Sequence, residues 1–135
     1  MHPLRKLRES GSSTPAQVRE LLADNVVFNS PILARSIDGR DAIATIFAQS
    51  SSTRGSGAYT AEYKVDDRTT FLRWEGTMDG HKLESFEVIV DDDQGLIVER
   101  TIALRPFPAV KLFRDAMYAS LKDKLPPDVW DYPAA

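Results

Sequence analysis

Apolar and polar residues alternate through most of the second half of the chain. Four segments show this alternation: "AYTAEYKV", "TTFLRWEGTM", "KLESFEVIV" and "LIVERTIAL". A period of two is typical of strands with one face packed against a core. The joints between the segments are short, at 66–67, 79–80 and 91–95, and short joints connect antiparallel neighbours. The pattern therefore predicts an antiparallel meander of four strands.

A helix is predicted in the segment "TPAQVRELLADN" (14–25). Thr14 is a suitable N-cap, Pro15 suits the first helical position, and Gln17 completes a capping box. Its apolar stripe is predicted to be Val18, Leu21 and Leu22. The sequence "VVFNSP" that follows favours a short strand, because its valines are β-branched and its proline ends a strand.

Two further helices are predicted. One follows the turn at 38–39, is capped by Asp41, and has a buried face made of Ile43, Ile46 and Phe47. The polar, glycine-containing run 50–57 then predicts a mobile loop. The last helix follows the meander, and its apolar stripe is Val110, Phe113, Met117 and Leu121.

This order of elements is typical of an α+β domain whose helices cover one face of a curved antiparallel sheet. We divide the chain into an N-terminal arm or short helix (1–13), a single domain (14–125) and a C-terminal tail (126–135). Strand alternation places Glu87 on one face with Leu83, Ser85 and Ile89, while apolar residues also occupy the other face. We expect a two-fold homodimer to cover that second face. The alternative is a monomer with scattered exposed apolar residues.

Composition excludes several classes of function. The chain has 135 residues, a formal net charge of −3 and no cysteine. It lacks the basic balance of nucleic-acid-binding proteins and any apolar run of the roughly 20 residues that cross a membrane, so we expect neither partner. Without cysteine, disulfides are excluded, and we expect a cytoplasmic protein. His2 and His81 are too few for a three-histidine zinc site, and we expect neither a metal nor a cofactor.

Three longer stretches follow one another along the chain: "LLADNVVFNSPIL" (21–33), "IDGRDAIATIFAQ" (37–49) and "WEGTMDGHKLESFEVIVDDDQGLIVERTIALRPFPAV" (74–110). In this order and spacing they resemble the nuclear transport factor 2-like superfamily, in particular its SnoaL-like, polyketide cyclase-like branch. The resemblance implies a cone-shaped α+β fold. A strongly curved, mainly antiparallel sheet and N-terminal helices would enclose a mostly apolar cavity, with a C-terminal helix added and dimers usual. Because the superfamily includes enzymes of several kinds and non-catalytic modules, it names no reaction.

Comparison with the steroid isomerases of this superfamily implies only part of their site. Glu87 falls where those enzymes place a carboxylic acid that donates a hydrogen bond to the developing oxyanion. Ser30 stands where they have the carboxylate that acts as general base, and the segment "HPLRKLRES" lacks their helix tyrosine. Isomerisation by that mechanism is therefore not expected.

Glu87 is the candidate catalytic residue, as an acid, a base or an oxyanion donor. A carboxylate in an apolar cavity has a raised pKa and can donate a hydrogen bond. The alternative is a cross-strand salt bridge to Arg73 or Arg100. The candidate ligand-binding residues are Phe28, Asn29, Ser30, Tyr59, Tyr63, Arg73 and Trp74.

Three interpretations of the predicted cavity remain open. The chain binds a small, largely apolar or carbonyl-bearing molecule in the cone cavity, with or without cofactor-free acid–base chemistry of the isomerase, cyclase, dehydratase or hydrolase type. Alternatively it is a non-catalytic ligand-binding module or a dimeric protein-interaction module. In a third interpretation, side chains fill the cavity and nothing binds there.

Overall fold

The computed structural model describes residues 1–11 and 13–131, so Ser12 of the predicted arm and residues 132–135 of the predicted tail lie outside the described residues. The helices are α1 (Pro3–Glu9), α2 (Pro15–Arg19), α3 (Arg40–Thr53) and α4 (Phe107–Leu121), followed by a 3₁₀ turn (Pro127–Val129). The strands are β1 (Leu22–Asn29), β2 (Ile37–Asp38), β3 (Gly57–Lys64), β4 (Thr69–Met78), β5 (His81–Asp91) and β6 (Ile97–Arg105). None of the described helices has the length and apolarity needed to cross a lipid bilayer.

The strands form one curved sheet in the order β2-β1-β6-β5-β4-β3. Strands β3 to β6 are antiparallel neighbours, which confirms the predicted meander. Strand β1 pairs in parallel with β6, so the sheet is mixed. Irregular register occurs in β1, in β3 and between β5 and β6. Such bulges increase local twist and bend a strand, which suits a sheet that wraps around its helices. The predicted α+β class is confirmed.

Helix α2 begins as predicted but is shorter. The Thr14 side chain accepts a hydrogen bond from the Gln17 amide, and the Gln17 side chain accepts one from the Thr14 amide. The predicted stripe to Leu22 is wrong, because the helix ends at Arg19 and Leu22 begins β1. The Ile97 amide donates to the Leu21 carbonyl at 2.9 Å, so sheet pairing overrides helical propensity at this point.

Helix α3 differs from the prediction at both ends. Its N-cap is Gly39, whose φ of 96° favours glycine, and Asp41 lies in the first turn, where it pairs with Arg19 at 2.5 Å. The predicted cap at Asp41 is therefore wrong. At the other end the helix extends to Thr53, into the run predicted as a mobile loop. The predicted buried face of Ile43, Ile46 and Phe47 is confirmed.

The core lies between the helices and the inner face of the sheet. Helix α4 contributes Phe113, Met117 and Leu121, all buried as predicted, whereas Val110 is only partly buried. Leu4 of α1 also joins this core, and so do Val129 and Trp130 beyond α4. Segments at both ends of the chain therefore pack on the fold and limit the space inside it.

The outer face of the sheet keeps exposed apolar side chains. Tyr63 is 65% exposed and Val88 is 41% exposed, and Phe71 and Phe86 are partly exposed beside them. The predicted homodimer would cover this face and stays a prediction.

Candidate functional site

The inner face of the sheet carries a buried ion pair. Ile102 lies directly opposite Glu87 in the β5–β6 ladder, and Arg100 is two residues earlier on the same face. Arg100 Nη2 donates to Glu87 Oε2 at 2.6 Å, and the two residues are 0% and 1% exposed. Of the two alternatives for Glu87, the cross-strand pair with Arg100 is confirmed. The carboxylate also faces the interior of the cone.

The protonation state of Glu87 is set by its neighbours. Burial alone would raise the pKa of this carboxyl, but the guanidinium groups of Arg100, Arg8 and Arg54 outweigh burial, so the pKa is lowered. The expected raised pKa is therefore wrong. An ionised carboxylate accepts hydrogen bonds and cannot donate one, so the lowered pKa disfavours the role of oxyanion donor.

Two further arginines approach the same carboxylate without forming a salt bridge to it. Arg8 on α1 donates to Tyr59 Oη at 3.4 Å and to Ser50 Oγ at 3.3 Å. Arg54, which follows α3, donates to Ser85 Oγ at 3.4 Å. We call Glu87, Arg8, Arg54 and Arg100 the interior charge cluster. It holds three guanidinium groups and one carboxylate, so it carries a surplus of positive charge.

Aromatic rings stabilise part of this surplus. The Arg100 guanidinium lies 4.4 Å from the centre of the Phe47 ring, and that of Arg54 lies 5.0 Å from the centre of the Trp74 ring. Cation–π contacts contribute about 0.5–2 kcal/mol each, but they do not neutralise charge. Burial, and then the nearby Arg8, lower the pKa of Arg54 to about 9. At pH 7 Arg54 is still protonated, in surroundings that disfavour its charge.

The hydrogen-bonding capacity of the interior charge cluster is only partly used. The buried Nε atoms of its three arginines and Oε1 of Glu87 have no hydrogen-bond partner among residues 1–11 and 13–131. Buried polar atoms in folded proteins are paired in the great majority of cases. The cluster thus has three donors and one acceptor that the described side chains do not satisfy.

Arg54 lines two spaces that adjoin the cluster. The first, which we call the chamber, is enclosed mainly by Phe28, Ile46, Phe47, Leu104, Phe113 and Met117, with Ser30, Ser50, Arg54 and Arg100 also in its wall. It leaves about 20 Å³ for the centre of a water-sized sphere. The second, which we call the cleft, opens to solvent and leaves about 240 Å³ by the same measure. Arg8, Ser51, Arg54, Gly57, Tyr59 and Trp74 are among the residues that line it.

Two glycines allow the ring of Trp74, which lines the cleft, to pack against the backbone. Gly57 and Gly76 are cross-strand partners in β3 and β4, and a Cβ atom at either position would overlap the Trp74 ring. The indole therefore lies directly against the backbone of both strands. This close approach fixes the ring on which the Arg54 guanidinium stacks.

The structure places four of the predicted ligand-binding residues beside the interior charge cluster. Phe28 and Ser30 line the chamber, and Tyr59 and Trp74 line the cleft. Whether any of them contacts a ligand stays a prediction. Ser30 Oγ accepts a hydrogen bond from the Ile32 amide at 3.2 Å, which gives it a local structural role as well.

The other three predicted residues lie elsewhere, and each placement is a correction. Asn29 bonds Thr101 and Ser36 at the opposite side of the sheet. Arg73 pairs with Glu75 and Glu84 on the outer face, because it is adjacent to Trp74 and adjacent strand residues face opposite ways. Tyr63 stacks on Phe71 outside. A bulge between Tyr59 and Ala61 reverses the alternation of β3, so the two tyrosines face opposite sides.

Arg8 and Arg54 are not among the residues predicted from the sequence. A signal for Arg8 existed, since it lies four residues after the buried Leu4 and so on the same face of α1. Arg54 is a single arginine in a serine- and glycine-rich run, and no pattern in the sequence directs it inward. Its position follows from the extension of α3 to Thr53.

Comparisons with known proteins agree with this architecture. Neither a protein-family model nor a curated protein matches the sequence. Among solved structures, an uncharacterised protein from Silicibacter pomeroyi with a cystatin-like fold is 22% identical with a TM-score of 0.82, and the match covers 92% of this chain and 89% of that one. A steroid delta-isomerase from Pseudomonas aeruginosa is 21% identical with a TM-score of 0.80, covering 87% of this chain and 85% of that one.

A third similar structure belongs to a protein that is itself named NTF2-like. The NTF2-like protein of unknown function from Cytophaga hutchinsonii is 15% identical with a TM-score of 0.55, and the match covers 79% of this chain and 84% of that one. Identities this low establish a common architecture and leave activity open. The SnoaL-like branch stays a prediction. The order of the strands, the curved sheet and these likenesses agree, and the chain has the nuclear transport factor 2-like fold.

Proposed function

We propose that the chain binds a small, largely apolar molecule in the interior of the cone, with the cleft as its entrance. One observation carries this proposal: an almost entirely hydrocarbon chamber and a solvent-open cleft share Arg54 as a common wall. Ligand sites are typically apolar concavities with a few polar groups that fix orientation. The chamber supplies the first part of that description and the interior charge cluster supplies the second.

The narrowness of the chamber sets a condition on binding. Its 20 Å³ is close to the roughly 10–15 Å³ that holds a single water molecule. A larger molecule enters only when wall side chains rotate. Met117 and Arg54 are long and unbranched, and such side chains adapt to irregular space at low cost. The competing interpretation, a chamber that stays filled by side chains, predicts no binding at all.

The geometry favours binding without acid–base turnover by Glu87. The lowered pKa favours the ionised carboxylate, and its Oε2 accepts the 2.6 Å hydrogen bond from Arg100. A general base needs a pKa close to the working pH, and an acid needs a proton to give. Ser30, which lines the chamber and stands where the isomerases have their general base, has no carboxylate to offer. The proposal is therefore a ligand-binding protein.

Calorimetric titration with neutral probes tests this proposal. The probes are benzamide, 3-phenylpropanamide and hexanamide, which carry apolar bodies and no charge. We expect at least one to bind, and the substitution Leu104→Phe to weaken it by roughly tenfold or more, because the larger ring occupies chamber space. The matched control is Val88→Phe on the outer face, which should bind as the unmodified protein does. Absence of binding by all three probes, or equal binding by both variants, would overturn the proposal.

A further inference from the structure

We infer that the ligand carries an anionic group of the carboxylate class, and that Arg8 and Arg54 hold that group where the cleft meets the chamber. This inference rests on the proposed function, since it names the chemistry of the polar end of the same ligand. The juxtaposition behind it is two guanidinium groups from different elements that converge on one open space.

Charge pairing separates these two arginines from nearly all the others. Every described arginine except Arg8, Arg54 and Arg68 has a carboxylate within salt-bridge distance. Arg68 is exposed, and water solvates its charge. Arg8 and Arg54 are partly buried at the cone interior, where their hydrogen-bond partners are neutral hydroxyl groups. Charges in that position are normally paired or ligand-bound.

The carboxylate of Glu87 attracts both arginines but forms its salt bridge with Arg100, so it compensates their charge only in part. Glu87 is bonded to Arg100 at 2.6 Å, and one carboxylate cannot neutralise three guanidinium groups. Among the described residues that line the cleft, Glu9 is the acid, and it accepts a hydrogen bond from Arg5 at 2.9 Å. The space between Arg8 and Arg54 therefore keeps a positive surplus.

The geometry of the guanidinium group suits a carboxylate. Each guanidinium presents five N–H donors in a planar fork that matches the two oxygens of a carboxylate. Arg54 donates one side-chain hydrogen bond, to Ser85, and Arg8 donates two, to Tyr59 and Ser50, all between 3.3 and 3.4 Å. These bonds are long, so a carboxylate can replace or supplement them with shorter, charge-assisted bonds.

The surroundings also select the body of the ligand. Trp74 and Tyr59 give the cleft two aromatic walls, and the chamber beyond Arg54 is hydrocarbon. An inorganic anion would satisfy the charge but leave both surfaces without contact. A monocarboxylate with an aromatic or short aliphatic body satisfies the charge and buries apolar area, at roughly 25 cal/mol per Å².

A matched pair of probes tests the inference in calorimetric titrations of the unmodified protein. The compounds 3-phenylpropanoate and 3-phenylpropanamide have nearly the same shape and differ in charge. We expect the carboxylate to bind roughly tenfold tighter or more, and its affinity to fall with added salt because the contact is electrostatic. We expect inorganic phosphate to bind more weakly than 3-phenylpropanoate.

Three variants locate the effect. Arg8→Met and Arg54→Met should each reduce binding of the carboxylate toward that of the amide, while binding of the amide changes little. The control Arg68→Met removes the same charge from an exposed position and should leave both affinities unchanged. Thermal unfolding of each variant reports whether it folds. The comparison of the two probes on the unmodified protein requires no variant and stands if one fails to fold.

The outcomes separate this inference from the function on which it rests. Equal affinity for the carboxylate and the amide would overturn the anion site and leave the apolar binding function intact. Binding of neither probe, together with no binding of the other neutral amides, would overturn both. A preference for the carboxylate that persists in both Arg8→Met and Arg54→Met would place the anion elsewhere and overturn the assignment.

Discussion

Strand β5 carries two buried carboxylates that sit in contrasting surroundings. Glu84 and Glu87 are three residues apart, so they lie on opposite faces of the sheet, and they are 2% and 1% exposed. Each is close to three basic side chains. The two sites differ mainly in how far water reaches the surrounding basic side chains.

Around Glu84, the cations remain in contact with solvent. Arg105, Lys82 and Arg73 approach its carboxylate at 2.5, 3.0 and 3.5 Å. Their side chains are 60%, 65% and 37% exposed, so water solvates the charge that Glu84 does not neutralise. Hydrogen bonds from Arg105 and Lys82 lower the pKa of Glu84 to about 2. This network needs no further partner.

Around Glu87, the cations lie inside the cone. Arg100 is fully buried, and Arg8 and Arg54 are half-buried beside the chamber and the cleft. The same three-to-one ratio therefore leaves a surplus of charge on side chains that are buried or only partly exposed, where electrostatic interactions are stronger than in bulk water. The outer network therefore leaves no cation without solvent or a counter-ion, whereas the positive surplus of the inner cluster is the basis of the anion site that we propose.

The largest effect should come from neutralising the inner carboxylate. Glu87→Gln leaves Arg100 buried without its counter-ion, and loss of one partner of a buried pair costs about 3–5 kcal/mol in the free energy of unfolding. Urea unfolding followed by circular dichroism measures this change. Glu84→Gln should cost much less, because its exposed cations return to water.

A double substitution provides the control for that measurement. Glu87→Leu combined with Arg100→Met replaces the pair by apolar side chains and should recover most of the stability lost in Glu87→Gln. Equal losses for Glu84→Gln and Glu87→Gln would mean that the two carboxylates do not differ in the way described.

A smaller effect should appear in the dependence of stability on pH. Both carboxyls have lowered pKa values in the folded protein, about 2 for Glu84. Their stabilisation is therefore fully present above the unfolded value of about 4.3 and is lost as the pH falls through the folded values. We expect the free energy of unfolding to decrease between about pH 4.5 and pH 2.

The variant Glu84→Gln sharpens that pH measurement. It should flatten part of the slope in this window, since one of the carboxyl groups with a lowered pKa is absent. Stability that increases on acidification toward pH 4.5 would contradict the account, because it would mean that Glu87 has a raised pKa.

The four-stranded meander was predictable from the sequence, and so was the set of residues that share a face of β5, because alternation and turn residues are local signals. The alternation in β5 correctly grouped Glu87 on one face with Leu83, Ser85 and Ile89, and the family resemblance implied that this face points inward. Tyr63 was misplaced because a bulge in β3 reverses the phase, and nothing in "AYTAEYKV" marks a bulge. Residue pattern gives the period of a strand, and register irregularities depend on its neighbours.

The interior charge cluster was the least predictable feature. Glu87 and Arg100 pair diagonally across two strands, and that pairing was one of two alternatives that alternation left open. Arg8 and Arg54 come from a short helix and a helix end, whose distance from β5 is a tertiary property. The sign of the pKa shift of Glu87 depends on these two arginines as well as on Arg100, so burial alone gave the wrong direction.

A crystal structure of the protein with bound 3-phenylpropanoate is the most direct test of the carboxylate site at Arg8 and Arg54. We expect carboxylate oxygens about 2.7–2.9 Å from guanidinium nitrogens of both arginines, with the phenyl ring against Trp74 or inside the chamber. In that complex Glu87 should remain bonded to Arg100. A carboxylate bound at the Glu84 network, or a phenyl ring in the cone whose carboxylate contacts neither arginine, would contradict it.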